Sequence, residues 1–328
     1  MESSLEFMTH RRLVLFLVLL LIGLVHSLEI IENERTTVNY TTTDVSGGAL
    51  NILNGLSYPH HPVMLAVPLR AYPLIKGLLN EINGLIVPVT YDCGNFREAK
   101  EPVLEHDYFN AVPSRWLQCY QHHALIKSGM TIGTPLYPIV DEEYVENVAI
   151  FQSILRSKPD DPYVFAELGA RWGTWGFRSA AFLRSIRPIQ EYSLYFVEPV
   201  PESCDAIKTV GKLNGFSFSL DCSYASFDTF SKWADSVNHI DVIDIDIQSF
   251  ETQFIPEVMS ILNDKAYRVI LGTHDEKIHP QMLQLFEANN WIVVNNSPFS
   301  GDVYCVSRYV RGNCPGYSCP EVYCFLHL

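Results

Sequence analysis

The segment Val164-Phe165-Ala166-Glu167-Leu168-Gly169-Ala170-Arg171-Trp172-Gly173-Thr174-Trp175-Gly176 constrains this 328-residue chain more than any other. A short apolar run ends in a carboxylate, two spaced glycines punctuate the next seven residues, and Phe177, Ala180, Ala181 and Leu183 then continue at helical spacing. The pattern predicts a buried strand, a tight turn and a helix. Gly169 would let the backbone turn sharply and approach a ligand, and Gly173 would let the helix begin close against the sheet. Such turns are common in α/β proteins, so this one sets architecture before chemistry.

The rhythm continues downstream. A second strand, Leu194 to Val197, ends in Glu198, 31 residues after Glu167, and Pro199 and Pro201 stop it and open the next helix. A carboxylate at the tip of a second strand is placed to accept hydrogen bonds from both ribose hydroxyls of an adenosine ligand. Helices are expected at Ser203–Asn214, Phe227–Ser236 and Gln281–Asn289, with another carrying Phe250, Phe254, Val258 and Leu262. Strands are expected at Ser217–Asp221, Ile240–Ile247, Tyr267–Gly272, around Trp291, and at Val303–Ser307. Alternation of this kind predicts a doubly wound, mostly parallel sheet with its ligand beyond the carboxyl ends of the strands.

The chemically loaded strand is Ile243-Asp244-Ile245-Asp246-Ile247-Gln248. Side chains alternate along a strand, so the isoleucines share one face and Asp244, Asp246 and Gln248 the other. Two carboxylates on a central strand are costly unless something cationic meets them. Asp246 is expected at the tip, and Asp244 one pleat deeper as a buried acid tied to backbone amides. His274 follows the next strand and, if the two strands are neighbours, faces Asp246 and Gln248. A histidine titrating near neutrality suits a general base, which makes Asp246, Gln248 and His274 the candidate catalytic set. The alternative for His274 is a loop residue capping the following helix. Asp246, His274 and Asp275 also form a candidate oxygen and imidazole set for Mg²⁺.

Three segments together, Glu167-Leu168-Gly169-Ala170-x-x-Gly173, Val197-Glu198-Pro199-x-Pro201 and Asp241 to Glu251, resemble the signature segments of class I S-adenosylmethionine-dependent methyltransferases, most closely the FkbM-like group. The resemblance covers roughly Asp160 to Ser307. It implies a Rossmann-like methyltransferase fold, with Glu167, Gly169 and Gly173 holding the methionine part of the cofactor and Glu198 its ribose. It further implies methyl transfer to a hydroxyl of a small molecule or glycan. The chain departs from the family in three places: Arg171 replaces a usual Asn, Asp244 a common Lys, and Gln248-Ser249-Phe250 a usual Glu-Gly-Ala. Two other functions compete. One is a secreted binding protein that keeps the fold without catalysis. The other is a nicotinamide-dependent oxidoreductase, which the long spacing to Glu198 disfavours against the ~20 residues of that fingerprint.

The flanks speak to location. Arg11 and Arg12 precede the apolar run Leu13 to Val25, shorter than the ~20 residues of a spanning helix, so residues 1–27 read as a cleaved signal peptide or a signal anchor. Membrane contact is expected only through such an anchor. A net charge of −14 argues against a nucleic-acid partner, since phosphate contacts need clustered Lys and Arg. Eight cysteines in a chain entering an oxidising lumen predict disulfides, with their pairing open. Residues 314–328 form a Cys-rich tail for which zinc is the minor alternative, and Asn39 and Asn295 begin glycosylation sequons. Residues 28–140 read as an accessory or cap region, with a helix at Leu74–Leu85 and a strand at Leu85–Thr90. Its doublets His60-His61 and His122-His123 read as structural or solvated. A helix at Asp141–Arg156 leads into a cofactor domain spanning 141–313.

Overall fold

A computed structural model describes residues 62–93, 113–135, 142–273, 277–297, 303–308 and 323–326. In chain order the elements are α1 (Pro62–Leu65), β1 (Tyr72–Pro73), β2 (Leu78–Asn80), β3 (Ile86–Pro88), α2 (Val89–Asp92), α3 (Pro113–Lys127), β4 (Ile132–Gly133) and α4 (Glu142–Arg156). Next come β5 (Tyr163–Leu168), α5 (Thr174–Ile186), β6 (Tyr192–Val197), α6 (Pro201–Asn214), β7 (Ser219–Asp221), α7 (Phe227–Ala234), β8 (Val242–Ile245), α8 (Glu251–Lys265) and β9 (Arg268–Thr273). The last are α9 (Ile278–Ala288), β10 (Trp291–Ser297), β11 (Val303–Arg308) and β12 (Tyr323–Leu326).

Among the described residues one large sheet runs in the order β10-β11-β12-β9-β8-β5-β6-β7, with β11 also paired to β9. The five strands β7, β6, β5, β8 and β9 are parallel. The chain leaves β5 for β6 on one side and returns to β8 on the other, so the switch point lies between β5 and β8. That is a Rossmann-like, doubly wound α/β fold, whose ligand crevice opens at the carboxyl ends of those two strands. β11 enters antiparallel beside β9, unlike a sheet built only of parallel strands.

Burial on both faces explains why β5 reads as a nearly continuous apolar run. Tyr163, Phe165, Leu194, Phe196 and Val242 face α4, α5 and α6, with Phe177 stacked on Phe216, tilted against Phe196 and edge-on to Phe218. Val164, Ala166, Leu168, Ile243 and Ile245 face the opposite layer, where Phe254, Val258 and Phe286 close the core. The alternation expected for the 243–248 segment therefore holds within β8. Its regular pairing ends at Ile245, however, and Ile240 contributes only an isolated bridge to Ala266.

Residues 74–85 are not helical. Leu78–Asn80 pairs antiparallel with Ile86–Pro88 across a turn containing Asn83-Gly84, and Gly77 and Gly84 take φ of 85° and 86°. Left-handed glycines and an Asn-Gly turn favour a hairpin over the helix that the spaced leucines suggested. The strand after it stops at Pro88, because residues 89–92 turn into α2. This hairpin packs into the α4–α6 side of the core through Ile82, Leu85 and Val87. Asn214 at the end of α6 clamps it, accepting from the Ile86 amide at 2.8 Å and donating to the Ile86 carbonyl at 2.7 Å.

His122 and His123 lie on helix α3 rather than on an extended segment. Adjacent helical side chains still diverge by about 100°. The cysteine expectation gains two pairings, Cys93–Cys119 and Cys204–Cys222, with Cα separations of 5.8 and 6.1 Å. Cys305 and Cys324 lie on paired strands, while Cys314, Cys319, residues 1–27, Asn39 and His60-His61 fall outside the described residues. Among the described residues no helix is long and apolar enough to cross a membrane.

Candidate active site

Glu167 is the penultimate residue of β5, at the switch point, and is 1% exposed. Its register partner on β8 is Asp244, itself 3% exposed, so the two carboxylates share the α5 side of the sheet. Helix α5 begins at Thr174 after Gly173, a residue with no side chain to cap it. Glu167 does that work, accepting from the amides of Trp175 at 3.1 Å and Gly176 at 2.8 Å. A helix start needs hydrogen-bond acceptors for its first amides, and here the protein supplies them from its own strand. The amides that would cradle a phosphate in a dinucleotide fold are thereby taken.

Burial nevertheless dominates. It pushes the Glu167 carboxyl up to about 8, against the two amides and Arg178, which lower it; Asp246 raises it further. Asp244 is held well above the usual carboxylate range, first by burial and then by Glu167 and Asp246. The expectation that Asp244 is tied to backbone amides is not met: no hydrogen bond to its carboxylate occurs among the described residues. Three acids thus converge on the crevice, two of them withdrawn from water.

Asp246 follows the last residue of β8, and its amide donates to the Leu168 carbonyl at 2.8 Å, extending the ladder by one step. The chain then turns through two consecutive left-handed residues, Gln248 at φ 55° and Ser249 at φ 73°. Ser249 stands where the resemblance places glycine, and the backbone keeps the conformation that glycine adopts freely. Glu251, fully buried in the first turn of α8, accepts from the amides of Ile247 and Ser249 at 3.3 Å each. Gln248 in turn donates to Asp246 at 3.2 Å, so two members of the candidate catalytic set meet at the mouth. Strain of this kind collects at functional sites, at about 1 to 3 kcal/mol per residue.

Glu198 follows β6. Its carboxylate accepts from the Arg171 amide at 2.7 Å and the Val200 amide at 2.9 Å, which leaves lone pairs on both oxygens for further donors. Arg171 is left-handed at φ 53°, a conformation that is uncommon outside glycine and that Asn adopts more readily than Arg. The glycines serve the protein's own packing. At Gly169, φ 84°, a Cβ would overlap the Asp246 carbonyl, and at Gly173 it would strike the Phe177 ring. The close backbone approach at Gly169 is therefore to the β8–α8 turn.

His274 and Asp275 lie outside the described residues, so the general-base and Mg²⁺ assignments rest on sequence alone. Among the described residues no group of His, Cys, Asp and Glu is arranged to hold a metal ion. Two buried polar residues near the site were missed from sequence. His279, at the start of α9, has Nδ1 2.8 Å from the Thr273 hydroxyl, and burial lowers it to about 4, leaving it neutral at physiological pH. Glu251 was the more findable of the two, being an acid in the first turn of a helix beside an exposed polar loop.

No family model matches the chain, and no curated protein matches it. Solved structures similar to it include a Pyrococcus horikoshii protein assigned as an RNA methyltransferase (10% identity, 52% of this chain and 84% of that one, TM-score 0.36). Others are a precorrin-6y C5,15-methyltransferase from Geobacter metallireducens (13%, 56% and 85%, TM-score 0.36) and a ribosomal protein L11 methylase from Lactobacillus delbrueckii subsp. bulgaricus (16%, 51% and 80%, TM-score 0.35). Likeness at that level carries no weight for activity.

Proposed function

We propose that this chain is an S-adenosylmethionine-dependent methyltransferase acting on a hydroxyl of a small molecule or glycan in the secretory pathway. The observation that supports the cofactor reading is the pairing of Glu167 with Asp244 across the switch point, with Asp246 beside them. Buried carboxylates in such a group favour a cationic ligand. S-adenosylmethionine carries a sulfonium and an ammonium, and when bound it supplies an electrophilic methyl group. Glu167 and the turn at Gly169 would hold its methionine part and Glu198 its ribose. Asp246 and Gln248 would orient the acceptor, and His274 would take the acceptor proton. A nicotinamide dinucleotide fits less well, because its pyrophosphate needs helix-start amides that Glu167 already occupies.

Calorimetric titration with S-adenosylmethionine tests this. Glu198→Ala is expected to weaken binding by about 1.5 to 3 kcal/mol, the scale of charge-assisted hydrogen bonds. Affinity of the parent should also rise as pH increases through about 8, since Glu167 must lose its proton to meet a cation. The same raised value means that the unliganded fold loses stability as pH rises from about 4.5 to about 8, where its Glu167 is protonated and an unfolded chain's is not. Binding of NAD in preference, or equal affinity of parent and variant, would overturn the cofactor reading.

The hydroxyl acceptor rests on the family resemblance, while the compartment rests on the N-terminal Arg11-Arg12 and apolar run and is supported by the disulfides, which persist in oxidising compartments. Expressed in animal cells, the chain should be secreted or held at a lumenal membrane face, and glycosylated. Lumenal protein incubated with labelled methyl donor should label sugars, phenols or polyols, and His274→Ala should lose most of that turnover. Intact, unglycosylated protein in the cytosol would remove the compartment, and full turnover by the variant would remove His274. A binding protein without catalysis would titrate normally and label nothing.

A further inference from the structure

We propose that the Cys204–Cys222 disulfide is a positioning device for Glu198, beyond any general contribution to stability; this rests on the reading of Glu198 as the ribose-holding acid. Cys204 sits in the first turn of α6 and Cys222 directly follows β7, so the bridge joins the start of α6 to the end of β7, beside the tip of β6. Both elements touch the Glu198 peptide. Its amide donates to the carbonyl of Asp221, the neighbour of Cys222, at 3.0 Å, and its carbonyl oxygen lies 3.2 Å from Cys204 Sγ. An oxidised sulfur has no proton to donate, so this second contact is one of packing. The side chain is held by the Val200 amide, at the cap of α6, on one carboxylate oxygen and by the Arg171 amide, from the β5–α5 turn, on the other. Glu198 is 6% exposed, and Cys204 is 2% exposed beneath it.

The geometry separates this bridge from Cys93–Cys119, which ties α2 to α3 within residues 62–135 and touches no member of the candidate site. Without the Cys204–Cys222 bond, α6 and the end of β7 are joined only by noncovalent contacts and by the intervening chain. The Asp221 carbonyl and the Val200 amide can then move independently, and the Glu198 carboxylate loses its fixed direction. Chain-entropy arguments give any disulfide a stability effect. Positioning is a different property and leaves a different signature.

Hydrogen exchange and a double-mutant cycle read that signature. In Cys204→Ser/Cys222→Ser, under conditions where circular dichroism shows the variant folded, exchange of the Arg171 and Val200 amides should quicken by about tenfold, while amides of β5 and β8 keep their protection. This arm needs no ligand, so it stands whether or not the cofactor reading does. S-adenosylmethionine affinity should fall by about tenfold on removing the bridge, and by no further factor when the bridge is removed from Glu198→Ala, because both changes act through one carboxylate. Unchanged exchange at Arg171 and Val200 would overturn the proposal, as would additive losses in the cycle. Failure of the parent to bind S-adenosylmethionine would instead count against the proposed function.

Discussion

Arg178→Met is expected to lower stability by about 3 to 5 kcal/mol, the cost of removing one partner from a buried ionic group. Arg178 lies on α5, immediately behind the glycine turn, and is 5% exposed. Its Nε donates to both Glu81 oxygens at 3.1 and 2.9 Å, its Nη2 donates to Oε1 at 2.8 Å, and Asp92 Oδ1 is 3.5 Å away. Glu81 is 3% and Asp92 0% exposed, so neither carboxylate can turn to water when the guanidinium is gone. The guanidinium also lies over the rings of Trp175 at 4.8 Å and Trp172 at 5.5 Å, contacts that a thioether replaces only in part. In a marginally stable domain that loss should appear as a fall in Tm of roughly 10 °C. Adding Glu81→Gln and Asp92→Asn to the variant should recover part of it by removing the stranded charge. A thermal melt within about 2 °C of the parent, a shift of about 1 kcal/mol or less, would show that the cluster is electrostatically idle.

Gly169→Val should damage the fold before it damages any ligand site. The residue is left-handed at φ 84°, which costs an L side chain about 1 to 2 kcal/mol. Its missing Cβ faces the Asp246 carbonyl, so a side chain would have to push the β8–α8 turn away from β5, adding about 1 to 3 kcal/mol of overpacking. The β5–α5 turn that carries Gly169 is pinned from the other side as well, since the amides of Gly169 and Ala170 donate to the Val197 carbonyl at 2.8 and 3.1 Å. The variant is therefore expected to be insoluble or to melt far below the parent, with Gly169→Ala intermediate. A Val variant as stable as the parent, but unable to bind S-adenosylmethionine, would show that the glycine is there for the ligand after all.

Much of the layout was legible in order along the chain. The strand, glycine turn and helix at 163–186, the acid after β6, and the alternation of isoleucines with acids on β8 are local patterns, and local backbone preference and burial decide them. The hairpin at 78–88 misled because its leucines also fit a helical spacing, and what overrode that spacing was a pair of left-handed glycines and the α6 residue Asn214 reaching back to Ile86. Arg178 carried no signal, since a cation on an apolar helix face gains meaning only from acids far away in sequence.

The sequence by itself determined a doubly wound α/β frame and placed the acids Glu167, Asp244, Asp246 and Glu198 of the candidate site at the carboxyl ends of its strands, because strand period and glycine punctuation act over a few residues. Tertiary structure decided what each acid does. Glu167 caps α5, Glu198 is gripped by two turns, and Asp244 stands against Glu167 without an amide. Those roles depend on which strand lies beside which, and neighbours in a parallel sheet are chosen by packing between segments that are distant in the chain.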